Sequence, residues 1–117
     1  MSKEEDIQYI KRFLEGDRTA FNILVNTYKH MVFTVCFRLL NDYDEAEDSA
    51  QETFIKVFKY LKNFKFNSAF STWLYRIAIN TCKNKLTSLR FRFKKKSVDL
   101  EEIKEFVKDH KLSSDVN

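Results

Sequence analysis

Thr72, Arg76, Asn80 and Lys83 recur at spacings of four, four and three, so a helix would align them on one stripe. A guanidinium and an ammonium on such a stripe can hold phosphates. The hydroxyl and carboxamide alongside them can reach the edge of a base. Further on, Lys83, Lys85, Arg90, Arg92, Lys94, Lys95 and Lys96 put seven positive charges in fourteen residues with no acid among them. Phosphate binding with a steep salt dependence is the chemistry this run supports. The alternative is a basic helix end that is merely solvated and favoured by the helix dipole, which Phe91 and Phe93 between the charges argue against.

A second constellation has the opposite charge. Asp48, Gln51, Glu52 and Ile55 fall together on one side of a helix, away from an apolar stripe of Ala50, Phe54, Val57, Phe58 and Leu61. Carboxylates take guanidinium groups bidentately and Ile55 adds a dry contact, a pattern suited to docking an Arg-rich partner helix. A solvated face whose acids favour the positive end of the helix is the plainer alternative.

The two constellations belong to a sharp charge division. Residues 53–96 hold twelve Lys or Arg, ten aromatics and no acid, whereas residues 41–51 hold five acids and no base. Aromatic rings among cations suit unpaired bases stacked beside phosphates, so one short chain presents surfaces for two kinds of partner. Three phenylalanines, Phe64, Phe66 and Phe70, lie within seven residues of the segment 64–70. They either plug a core or stack on something that arrives, and at least two are expected in the core. Trp73 is also expected there, with its indole N–H needing a partner.

Reaction chemistry finds no support. His30 and His110 stand alone, and no Glu-x-x-His pair or nucleophile arrangement occurs, so no catalytic residue, metal ligand or cofactor is expected. Cys36 and Cys82 are far apart in sequence and outside any Cys-x-x-Cys pair, which predicts reduced, buried thiols.

The elements that must position these residues are helices. The chain has 117 residues, one Gly and no Pro, so it lacks the breakers that punctuate β-rich folds and is long enough for one core. An all-α, compact bundle of about four helices is expected. No apolar run approaches the ~20 residues of a membrane span, and the first six residues lack a signal-peptide layout. A soluble, cytoplasmic monomer is expected.

Apolar periodicity predicts a first helix over 3–15 with Ile7, Ile10 and Leu14 inward, closed by Gly16. Asp17 then caps a central helix over 18–40 carrying Phe21, Leu24, Val25, Tyr28, Val32, Val35, Cys36 and Leu39. Asp44 and Glu47 have capping-box spacing for a third helix running to about residue 62. After a loop over 63–69, a fourth helix spans about 70–91, with Phe70, Trp73, Leu74, Ile77, Ala78 and Thr81 inward. Residues 97–117 form an acidic tail, with one short helix over 100–110.

These residues resemble a known family. The run Asp44-Glu45-Ala46-Glu47-Asp48-Ser49-Ala50-Gln51-Glu52-Thr53-Phe54-Ile55-Lys56-Val57-Phe58, then Phe64, then Ser68-Ala69-Phe70-Ser71-Thr72-Trp73-Leu74-Tyr75-Arg76-Ile77-Ala78-Ile79-Asn80, is similar to the second conserved region of bacterial sigma factors of the extracytoplasmic-function group. The resemblance covers about residues 5–92, including Ala20, Phe21 and Tyr28. It implies a region 2 domain over 1–96 that binds core RNA polymerase and melts promoters without an enzymatic step. Asp44, Glu47, Asp48, Gln51, Glu52 and Ile55 would dock on the clamp coiled coil of the largest polymerase subunit. Phe64, Asn67, Ser68, Phe70, Ser71, Thr72, Trp73, Arg76 and Asn80 would line or support a pocket for a base flipped from the non-template strand of the -10 element. Lys83, Lys85 and Arg90 would follow the backbone, and an anti-sigma factor is a further implied partner.

The family loop often has Gly then Asp where this chain has Phe66 and Asn67. A complete factor also adds a helix-turn-helix domain, region 4, which nothing after Lys96 could build. Residues 97–117 match the connector in character, as a linker or truncated tail. The alternative within the same resemblance is a sigma-like interaction protein that occupies the clamp or titrates an anti-sigma factor without opening promoters.

Overall fold

The computed structural model describes residues 2–95, with side chains through residue 90. Four helices follow in order: α1, Lys3–Leu14; α2, Arg18–Leu40; α3, Tyr43–Tyr60; and α4, Phe70–Lys95, with one 3₁₀ turn, Leu61–Asn63, after α3. The all-α bundle expected from composition is what forms. The tail and its short helix over 100–110 lie outside the described residues.

Local chemistry sets the helix ends. Ser2 caps α1 by accepting from the Glu5 N–H at 3.2 Å. Gly16 has φ +105°, a conformation open to a residue without Cβ, and turns the chain after α1. Asp17 then serves two helices: Oδ1 accepts from the Thr19 N–H at 3.0 Å to cap α2, and Oδ2 takes the Arg12 guanidinium at 2.7 Å. Arg12, with smaller help from the capped amides, holds the Asp17 carboxyl below the usual range.

The third helix starts earlier than its Asp44-x-x-Glu47 spacing predicts. Asn41 adopts a left-handed conformation at φ 50° and ends α2. Asp42 follows in extended backbone, and its carboxylate accepts from the Glu45 N–H at 2.9 Å. Asp42-x-x-Glu45 has the same spacing two residues upstream, and the extended Asp42 is the residue free to cap. At the other end, α3 tightens into the 3₁₀ turn instead of continuing to Lys62. The fourth helix runs on to Lys95, past the expected residue 91.

Central α2 packs against each of the other helices. Leu24, Val32, Cys36, Leu39 and Leu40 of α2 meet Ile10, Ala46, Val57, Leu61, Leu74, Ala78 and Cys82 in one core. Two helices are rotated from expectation. On α3 the inward stripe is Ala46, Ser49, Thr53 and Val57, while Ala50 and Phe54 are half-buried and Phe58 is exposed. Thr53 can be buried because its hydroxyl donates to the Ser49 carbonyl at 2.7 Å within the helix. On α1 the buried positions are Asp6 and Ile10, with Leu14 exposed. A buried carboxylate needs a partner, and the Tyr28 hydroxyl of α2 donates to it.

Cys36 of α2 and Cys82 of α4, separated in sequence, are both free and buried, and they lie close enough to influence one another. That proximity, together with burial, pushes the Cys82 thiol up and keeps it protonated.

Candidate nucleic-acid and protein-docking interfaces

Helix α3 turns its small residues inward, which leaves its acids outward. Asp44, Glu47, Asp48, Gln51, Glu52 and Ile55 are all exposed, and Ile55 is a lone apolar residue at 57% exposure among them. The fold therefore brings all six expected protein-docking residues to one face. Beside them, α2 and α3 enclose an open, mostly apolar cleft of about 610 Å3, to which Val25, His30, Phe33, Tyr43 and Phe54 contribute along with Glu47 and Gln51. Sequence reasoning missed this cleft. Its walls include Tyr43, 61% exposed, whose ring packs against Phe33 at 5.2 Å.

The loop between α3 and α4 is built on aromatic packing. Phe64 and Phe70 are buried at 5% and 2% exposure, and Phe66 stands out at 39%. Two of the three phenylalanines are thus core, as expected. Phe64 touches Phe66, Trp73 and Phe70 at ring distances of 4.8, 5.2 and 6.2 Å, and Tyr28 closes on Phe70 at 5.5 Å. Trp73 is half-buried in this cluster. The packed rings of Phe64 and Phe70 form an aromatic floor, and Phe66 is the exposed ring beside it. Phe66 has φ 61°, the left-handed region that a side chain enters at a cost of about 1 kcal/mol.

Polar groups follow that ring in the loop and along α4. Asn67 is exposed, Ser68 and Ser71 are half-buried, and Thr72, Arg76, Asn80, Lys83 and Arg90 are exposed along α4. The expected stripe is exposed on α4, with Thr72, Arg76, Asn80 and Lys83 following one another away from the loop, so polar and cationic groups alternate.

Lys85 leaves this group. Its ammonium lies 2.9 Å from Asp48 and 3.3 Å from Glu45, on the acidic side of the molecule. Helical geometry gives the reason: at about 100° per residue, Lys85 sits roughly 200° around α4 from Lys83. The Asp48 hydrogen bond, with further help from Glu45, holds the Lys85 ammonium above its usual range. One turn earlier on α4, Thr81 accepts from Lys56 of α3 at 3.0 Å. Two lysines thus clasp α3 to α4 where the acidic and basic surfaces meet.

The Sigma-70 region 2 family model matches residues 24–92. The chain belongs to the sigma-70 region 2 family. Over 112 residues, 96% of this chain, it is 44% identical to RNA polymerase sigma-H factor of Pseudomonas aeruginosa. It is 45% identical over 86 residues to the ECF RNA polymerase sigma factor SigW of Bacillus subtilis, covering 74% of this chain, and 42% identical over 97 residues to the ECF RNA polymerase sigma-E factor of Escherichia coli, covering 83%. The chain spans about half the length of these curated relatives, 58%, 43% and 50% respectively. Among solved structures, an engineered region 2 of sigmaE in complex with GTAAAA superimposes with a TM-score of 0.69 at 41% identity, covering 79% of this chain and 97% of that one. Both the α3 face and the loop-α4 surface of this region 2 domain lie inside the matched residues. Among the described residues no helix is long and apolar enough to cross a membrane, and no cluster of three or more His, Cys, Asp or Glu could hold a metal ion.

Proposed function

We propose that this region 2 domain docks core RNA polymerase through the outward face of α3 and captures an unpaired stretch of the promoter -10 element on the 64–69 loop and α4. The single observation that carries the reading is the placement of the two surfaces. An exposed acidic stripe with Ile55 at its centre and an exposed polar and basic stripe beside a rigid aromatic floor lie on helices clasped to one another. The likeness to an engineered region 2 solved with GTAAAA supports a single strand as the ligand.

The clamp coiled coil of the largest subunit would meet Asp44, Glu47, Asp48, Gln51, Glu52 and Ile55, with guanidinium groups on the carboxylates. A base leaving the duplex costs a few kcal/mol of unstacking, and stacking returns roughly 1–3 kcal/mol per base. Phe66 supplies the open ring, Asn67, Ser68, Ser71, Thr72 and Asn80 supply edge contacts, and Arg76, Lys83 and Arg90 take phosphates. Lys85, already engaged, orders α3 against α4. Melting then draws on binding energy alone, with no nucleotide hydrolysis by this domain. It works in the cytoplasm as a monomer, and an anti-sigma factor would compete for the same α3 surface.

Asn80→Ala tests the reading. Asn80 is exposed, so its loss should leave the fold intact while weakening capture of a -10-type oligonucleotide several-fold more than capture of a random strand of equal length. Equal losses on both strands would mean that α4 reads phosphate only and would sink the base-capture assignment. Intact polymerase docking with no strand capture at all would favour a clamp-occupying protein instead.

A further inference from the structure

Where α1 ends against the last turn of α3, Phe13, Leu14, Phe58, Lys59, Tyr60 and Lys62 line an open cleft of about 580 Å3. Phe58 is held edge-on by Phe13 and Phe21 at 5.3 and 5.2 Å, and the Arg18 guanidinium lies 5.8 Å from its centroid. Phe58 is therefore fixed in place, yet it remains 42% exposed, and Tyr60 beside it is 52% exposed. Two large rings left open on one cleft are more than the core uses.

The rim is positive. Lys59, Lys62 and Arg18 have no ion-pair partner among the described residues, and the nearby carboxylate of Asp17 is taken by Arg12. An apolar segment of protein would match the rings and leave these cations without a counterpart. An unpaired nucleotide matches both, with its base for the rings and its phosphate for the lysines. The cleft also adjoins the loop: the chain passes from Tyr60 through the 3₁₀ turn to Phe64, whose N–H donates to the Leu61 carbonyl at 3.0 Å. Lys62 is only two residues from Phe64, a Cα separation of at most about 7.6 Å.

We propose that this cleft is a second nucleotide site, which takes an unpaired base of the same strand beyond the one held at the 64–69 loop. The base packs on Phe58 and Tyr60, and the adjoining phosphate sits at Lys59 and Lys62. The proposal rests on the strand-capture reading and extends it by one site on the other side of the loop from α4.

The test is a length series. GTAAAA is trimmed, or lengthened with thymidines, from either end, and its affinity for the intact chain is measured with the wild type, Tyr60→Ala, Tyr60→Phe and Lys62→Ala. The wild type should show a step of about fivefold or more at one length, from one end only. Tyr60→Phe should keep that step, Tyr60→Ala should lose it, and Lys62→Ala should reduce it along with its salt dependence. An affinity that changes smoothly with length, or the same step in wild type and Tyr60→Ala, would overturn the second site while strand capture at the loop stands. Failure of the wild type to bind any member of the series would overturn both.

Discussion

The Tyr28 hydroxyl of α2 donates a hydrogen bond to the Asp6 carboxylate of α1, which is buried at 4% exposure. Only Oδ2 is served; Oδ1 is buried without a partner. The same Tyr28 ring packs on Phe70 at 5.5 Å, so the contact that anchors α1 also braces the aromatic floor beneath the 64–69 loop.

Burial raises the Asp6 carboxyl above its ordinary value, and the Tyr28 hydrogen bond only partly offsets this. The folded state therefore binds this proton more tightly than the unfolded state. The contribution of Asp6 to stability is greatest below the ordinary carboxylate range, near pH 4, and falls as pH rises through the raised folded value. Asp6→Asn keeps an acceptor for Tyr28 and removes the titration. Thermal melts across the acid-to-neutral range should show a flatter dependence on pH for Asp6→Asn than for the wild type; parallel profiles would contradict this.

Lys85 and Lys83 should separate cleanly. Lys85→Ala removes a clasp to Asp48 and Glu45 and should lower stability by no more than about 1 kcal/mol, given its partly exposed setting. It should leave strand affinity nearly unchanged. Lys83→Ala should leave stability alone and reduce the slope of log affinity against log salt by about 0.7, the release expected from one single-strand phosphate contact. Oligonucleotide titrations at several salt concentrations decide the matter.

How much of this was legible beforehand differs from helix to helix. With no Pro and a single Gly, the helices themselves were plain, and Gly16 followed by Asp17 marked the first junction correctly. Rotation about the helix axis was harder to read. On α1, Asp6 with Ile10 and Ile7 with Ile10 and Leu14 describe adjacent stripes, and hydrophobicity favoured the second. A tyrosine on another helix made the first one possible. On α3, Ala46, Ser49 and Thr53 won the inward position over Phe54 and Phe58 because small side chains let the helices approach closely and Thr53 satisfies its own hydroxyl. The acids of the proposed docking face were legible because they occupy whatever face the core leaves. Lys85 lies in a basic run, yet its helical angle sets it apart from Lys83.

Glu52→Arg places a cation in the middle of the proposed docking face of α3 without touching the core, since Glu52 is exposed. The fold should persist by circular dichroism while binding to core polymerase falls at least tenfold, because like charges would face the guanidinium groups of the partner. Retained affinity in a pull-down would remove α3 as the docking helix.

Phe66 combines a left-handed backbone with an exposed ring. Phe66→Gly relieves the left-handed strain but loosens the unfolded chain, and the two effects nearly cancel, so stability should move by less than about 1 kcal/mol. The exposed ring is lost, however, and single-strand affinity should drop roughly fivefold or more. Unchanged affinity would show that Phe66 is not the ring on which the captured base stacks.

In the proposed function the domain reads bases from an unpaired -10 strand while attached to polymerase. A titration of labelled non-template oligonucleotides, varied base by base, against the domain with and without core polymerase tests it most directly. Affinity should depend strongly on base identity at the position held by the loop, weakly elsewhere, and rise when core polymerase is present. Affinity that follows length and salt alone, whatever the bases, would contradict it.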